Sequence, residues 1–111
     1  MIARTWRGFT SAADANAYAE YVRRAGIPPY LATPGNRGAF IFRRVLDGEA
    51  EFLVLSLWDS MDAVRAFAGP APERAVFYPE DARYLTRFDQ HVDHFEVVER
   101  AGVPSGNTPE S

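Results

Sequence analysis

AFIFRRVLDGEAEFLVLSLWDSMDAVRAF, residues 39–67, holds two apolar runs joined by Asp47-Gly48 and followed at once by a helical repeat. Asp-Gly between such runs is a strong hairpin signal, because both residues tolerate the positive φ that a two-residue turn demands. A tight turn fixes the register by counting. Arg44 faces Glu51, Phe42 faces Leu53 and Phe40 faces Leu55, which leaves Ile41, Val45, Phe52, Val54, Ser56 and Trp58 on the other side. Both faces are largely apolar, whereas a sheet with one wet face alternates cleanly. Each face therefore needs a cover. One helix layer supplies the first, and a second copy of the chain is the simplest candidate for the other. After Trp58, Ser60 or Asp59 caps a helix with Met61, Val64, Phe67 and Ala68 on one stripe, and Gly69-Pro70 stops it.

Upstream, MIARTWRGF reads as a strand with Ile2, Arg4 and Trp6 on one face. Ser11 and Asp14 have capping-box spacing, and Tyr18, Tyr21, Val22 and Ala25 then fall on one helical stripe. Gly26 supplies a left-handed stop, and IPPYLATPGNRG reads as a structured loop. Downstream, Pro72 opens a short helical turn, ERAVFY, and Pro79 another, EDARYL. TRFDQHVDHFEVVER is the last strand. The order strand, helix, strand, strand, helix, strand predicts an α+β, ferredoxin-like sandwich (βαββαβ) with an antiparallel four-stranded sheet. Residues 1–99 make its one domain, and the turn-rich residues 100–111 read as a flexible tail.

Composition excludes several chemistries. All 12 basic residues are Arg, so Schiff-base and P-loop lysine mechanisms are absent. With no Cys there is no disulfide, thiolate nucleophile or Cys-zinc site. A net charge of −3 carries no nucleic-acid footprint. No run is long and apolar enough for a membrane span and the N-terminus has no apolar leader, so the expected location is cytoplasmic. Eight Phe, five Tyr and two Trp are a heavy aromatic load for 111 residues, and aromatics dominate both cavity walls and subunit contacts.

Individual residues carry two readings each. Trp58 either plugs the seam between sheet and second helix or walls a pocket there with one N–H to offer. His91 and His94 point to opposite faces of a strand, so they cannot chelate one ion within one chain, although a site across a dimer stays open. His94 is a core histidine or a general base with a pKa near neutrality. In AVFYPEDARYL, Glu80 and Asp81 suit a helix start, while Phe77 and Tyr78 can form a lid whose phenol meets a substrate oxygen. Arg4 is a surface charge or the partner of an enolate or phenolate oxygen. No Gly-rich phosphate loop, Ser-His-Asp set or carboxylate pair stands out.

Trp58 and Ser60 in W-x-S, followed by Ala63, Ala66 and Phe67, together with PGNRGAFIFRR before the hairpin, resemble the antibiotic biosynthesis monooxygenase superfamily. The resemblance covers residues 1–99 and implies a homodimeric α/β barrel with a pocket between sheet and helices. Some members oxygenate aromatic, polyketide-like substrates with no metal or flavin, and others degrade haem. The haem-degrading branch uses an Asn on the first strand, the Trp of W-x-S and a His in the second helical region. Only Trp58 matches, since the first strand offers Arg4, Thr5 and Trp6 and residues 59–85 contain no His, with Tyr78 near its place. The expectation is thus a monooxygenase-like enzyme that needs no cofactor and acts on a small aromatic. Trp6, Trp58 and Phe77 would contact substrate, Arg4 or Tyr78 would bind the oxyanion, and His94 would be the base. The alternatives are a non-catalytic dimeric barrel for a hydrophobic ligand and an isomerase or cyclase on the same fold.

Overall fold

The computed structural model describes residues 1–102. It contains strands β1 (Ile2–Ser11), β2 (Asn36–Leu46), β3 (Glu49–Trp58), β4 (Leu85–Phe88) and β5 (Asp93–Glu96). Its α-helices are α1 (Ala15–Tyr21), α2 (Ile27–Ala32), α3 (Met61–Ala68) and α4 (Asp81–Tyr84). All strand pairs are antiparallel, in the order β2-β3-β1-β4, with β5 also on β1. This is the expected α+β, ferredoxin-like architecture. Of the tail expected at 100–111, residues 103–111 lie outside the described residues.

The hairpin has the register that counting gives. Phe40 pairs with Leu55, Phe42 with Leu53 and Arg44 with Glu51. Asp47 and Gly48 both take positive φ, 55° and 76°, as the tight turn requires. Alternate β3 residues Ala50, Phe52, Val54, Ser56 and Trp58 are buried under the helices. Tyr18, Tyr21 and Val22 press onto that face and form the core with it. Ser11 and Ser60 cap the helical segments that follow β1 and β3, accepting from the backbone N–H of Asp14 and Ala63.

Three expectations need correction. The first helix does not stop at Gly26. It widens into a π-helical turn, Val22–Gly26, and continues as α2 through Pro28 and Pro29. Prolines are tolerated there because they stand in the first turn of the resumed helix, where backbone N–H groups lack helical partners. Second, ERAVFY is not helical. Residues 73–75 lie extended beside residues 90–92, with Ala75 N–H donating to Gln90 O and Val92 N–H to Glu73 O, both at 2.9 Å. Third, this outside pairing splits the last strand, so the sheet has five strands instead of four. Between the pairs Thr5–Asp93 and Gly8–Phe88, residues 89–92 bulge opposite only Trp6 and Arg7.

The other sheet face is uncovered in the single chain. Phe40, Phe42 and Phe95 are 49%, 46% and 55% exposed, and the rings of Phe40 and Phe42 stack at 5.7 Å. Leu53, Leu55 and Leu57 of β3 share that face and are half-buried.

Candidate functional site

Between the sheet and the helix layer lies a narrow cleft with an interior volume of about 40 Å³. Arg4, Trp6 and Val54 rise from the sheet, and Tyr18, Tyr21, Val22, Gly26 and Tyr30 descend from the helical segment. Val76, Tyr78 and Asp81, from the long stretch between α3 and β4, and Val92, from the segment between β4 and β5, close the remaining side. The π-helical turn puts Val22 and Gly26 on this wall, and the resumed helix brings Tyr30 beside them.

Arg4 is the most unusual residue of the lining. It is 3% exposed, and no carboxylate among the described residues comes within ion-pair distance of it. Its guanidinium is held by neutral acceptors. Nη1 donates to Pro72 O at 2.5 Å and to His94 Nε2 at 3.1 Å, and Nη2 donates to Arg74 O at 3.1 Å. The Phe67 ring lies 5.8 Å from the guanidinium carbon. Burial lowers the Arg4 pKa, yet guanidinium stays charged in proteins. A buried cation with only neutral partners leaves part of its desolvation cost uncompensated, and a counter-charge with good geometry would offset more of it. The cleft is where that counter-charge can enter.

His94 pairs with Arg4 across β5 and β1. Since guanidinium can only donate, Nε2 is the acceptor and the ring proton sits on Nδ1. Burial first, and then the charge of Arg4, push the His94 pKa below its ordinary value, so the ring is neutral at pH 7.

The opposite wall is acidic and phenolic. Asp81 is 7% exposed. Its Oδ1 accepts from the Tyr18 hydroxyl at 3.1 Å and its Oδ2 from the Tyr78 backbone N–H at 2.7 Å. Burial pushes its pKa up. Burial also raises the Tyr18 and Tyr78 phenols, and Tyr30 to about 12, so all three are neutral donors at physiological pH.

Of the residues singled out in the sequence, the structure brings Arg4, Trp6 and Tyr78 together on the lining. Trp6 is fixed by its Nε1–H on Asp89 O at 2.8 Å, and Phe77 stands edge-on to it at 6.2 Å, outside the lining. Trp58 is fully buried behind the wall. Its Nε1–H donates to Ser56 Oγ at 2.8 Å, and its ring touches Tyr30 and Phe67 at 6.0 and 5.4 Å. His94 sits behind Arg4. Sequence reasoning misses Tyr30 and Asp81 as site residues. Tyr30 lies in a Pro- and Gly-rich stretch with the composition of a loop, and Asp81 has the sequence context of an ordinary acid at a helix start.

No protein-family model and no curated protein sequence matches the chain. Solved structures do. A Bacillus cereus protein assigned to the antibiotic biosynthesis monooxygenases aligns over 91% of this chain and 96% of its own, at 18% identity and TM-score 0.64. A Nitrosomonas europaea protein with the same assignment covers 89% and 100%, at 12% identity and TM-score 0.63. The haem degrader MhuD of Mycobacterium tuberculosis, with two haems in its active site, covers 92% and 100%, at 22% identity and TM-score 0.60. The resemblance drawn from Trp58-x-Ser60 therefore holds at the level of architecture: this chain has the fold of the antibiotic biosynthesis monooxygenase superfamily.

Proposed function

We propose that the chain is a monooxygenase of this type, oxygenating a small, electron-rich hydroxyaromatic without a resident cofactor. One observation carries the reading: a buried guanidinium that lacks a counter-ion faces an aromatic-lined cleft. An aromatic hydroxyl that ionises there places its oxygen on Arg4, and the electron-rich anion then reacts with dioxygen. Fixed donors stabilise such charge best in a dry site. In this reading Arg4 binds the oxyanion, Tyr78 adds a neutral hydrogen bond, and Trp6 stacks on the ring with Phe77 behind it. Trp58 backs Tyr30. His94 serves as the acceptor that holds Arg4 in place, and the substrate proton goes to a base with a free lone pair in the cleft.

Haem, the ligand of one structural neighbour, suits this lining poorly. No histidine is on the wall, the Nε2 of His94 is engaged by Arg4, and the raised pKa of Tyr78 disfavours the tyrosinate that haem iron takes.

The working unit is proposed to be a homodimer. Its support is the row of exposed Phe and half-buried Leu side chains on the free sheet face, a patch of the kind monomers seldom expose.

Oxygen uptake with a panel of small one- and two-ring phenols tests the function. Uptake that survives chelator, requires no flavin and falls at least tenfold in Arg4→Met is expected. No uptake with any phenol, or uptake indifferent to Arg4, refutes the proposal.

A further inference from the structure

Arg4 and Asp81 are opposite charges, each more than nine-tenths buried, that face one cleft without touching each other. The groups around Asp81 are Tyr18 and Tyr21 of α1, Tyr30 of α2, Tyr78, and Tyr84 of its own helix, with Arg4 on the sheet. None is a second carboxylate, and Glu80 pairs with Arg83 at the surface instead. Two buried charges that do not neutralise one another ask for a ligand between them. That ligand needs an anionic oxygen for Arg4 and a proton to share with Asp81.

We propose, resting on the functional reading above, that Asp81 is the general base of the site and Tyr18 the anchor that aims it. Each carboxylate oxygen carries two lone pairs and uses one, on Tyr18 or on the Tyr78 backbone, so acceptor capacity remains on both. In the step itself, the substrate O–H bond breaks and an O–H bond forms on Asp81. The electron pair stays on the substrate oxygen, which becomes the anion facing Arg4. No oxidant is consumed until dioxygen attacks. The elevated proton affinity of Asp81 suits it to the task. His94, by contrast, has its acceptor nitrogen occupied.

The probe is 4-nitrophenol, whose anion absorbs visible light and whose neutral form does not. Ionisation on binding liberates a proton that either stays on the protein or enters the buffer, and calorimetry in two buffers of different ionisation enthalpy counts it. The full-length wild type is expected to retain the proton, while Asp81→Asn releases it and still shows the bound anion. Equal release by both proteins overturns the proposal, and so does retention that disappears in His94→Ala and persists in Asp81→Asn. If Asp81→Asn does not fold, Tyr18→Phe carries the test. Loss of the Tyr18 hydroxyl raises the carboxylate's proton affinity, so the pH below which retention fails must move up, and an unmoved pH overturns the assignment. Arg4→Met separates the two claims. Nitrophenolate that binds equally well without Arg4 refutes the functional reading, whereas its loss there together with retention in the wild type supports both. No bound anion in the wild type at millimolar probe refutes both.

Discussion

Ser56→Ala is a small change expected to cost far more than its size. Ser56 and Trp58 are both fully buried, and the indole N–H donates to the Ser56 hydroxyl at 2.8 Å. Removing that oxygen leaves the N–H in a dry core, at a cost of about 1–3 kcal/mol. Trp58→Phe loses the same bond and part of a ring, for about 2–3 kcal/mol, below the ~3–5 of truncation to Ala. When Trp58→Phe is already in place, Ser56→Ala removes a hydroxyl deprived of its donor, so the added change costs less. The double-mutant cycle should therefore return a coupling of about 1–2 kcal/mol. At roughly 4 °C per kcal/mol for a domain of this size, Ser56→Ala alone lowers Tm by about 4–12 °C. Urea and thermal unfolding at one fixed protein concentration measure it, since association shifts apparent stability. If Ser56→Ala costs as much in the Trp58→Phe variant as in the wild type, the hydrogen bond is not what holds the indole, and the reasoning fails.

Three further outcomes are expected. Gly8→Ala puts a methyl against the six-membered ring of Trp6 and 3.0 Å from a Leu85 methyl, so the indole must leave its place on the cleft wall. Overpacking of about 1–3 kcal/mol and a changed tryptophan emission follow, and unaltered Tm and emission would contradict the placement. His94 binds its proton less readily folded than unfolded, so it contributes full stability above an unfolded pKa of about 6.5 and loses it as pH falls through and below that value. His94→Gln should flatten the loss of Tm between about pH 7 and 5.5, and an unchanged slope would assign the loss to other groups. Leu55→Asp, on the free sheet face, should convert a sedimenting dimer to monomer or aggregate, and a wild type that sediments as a monomer at micromolar concentration would remove the homodimer.

The hairpin is legible in the sequence because Asp47-Gly48 fixes a register by counting alone, with no knowledge of the rest of the chain. The split of the last strand is not. It depends on residues 73–75 claiming the backbone of residues 90–92, a pairing that leaves no local mark. Pro28-Pro29 signals a break, and only the three-dimensional chain reveals a helix that widens first and accepts the prolines in its next turn. The site divides in the same way. Arg4 and Trp6 are visible because alternation on β1 puts them on one face of the strand, apart from Ala3 and Thr5. Asp81 is hidden, because the tyrosine that makes it more than a helix-start acid is 63 positions away.

The π-helical turn makes chain length a second variable at its outer edge, beside residue identity. Arg23 and Arg24 are exposed there and exchange with other side chains at little structural cost. Deleting one residue is a different event, because a wide turn minus one residue is an ordinary α-helical turn. The helix would survive and α2 would keep its facing relative to α1, because a π turn is an α-helix with one residue inserted and its removal restores the ordinary repeat. Tyr30 would stay on the cleft beside Trp58, and the change would fall on the wide turn itself, where Val22 and Gly26 line the wall. A single-codon deletion there would thus reshape one patch of the cavity while the elements on both sides keep their places, a change that no substitution at those positions would produce.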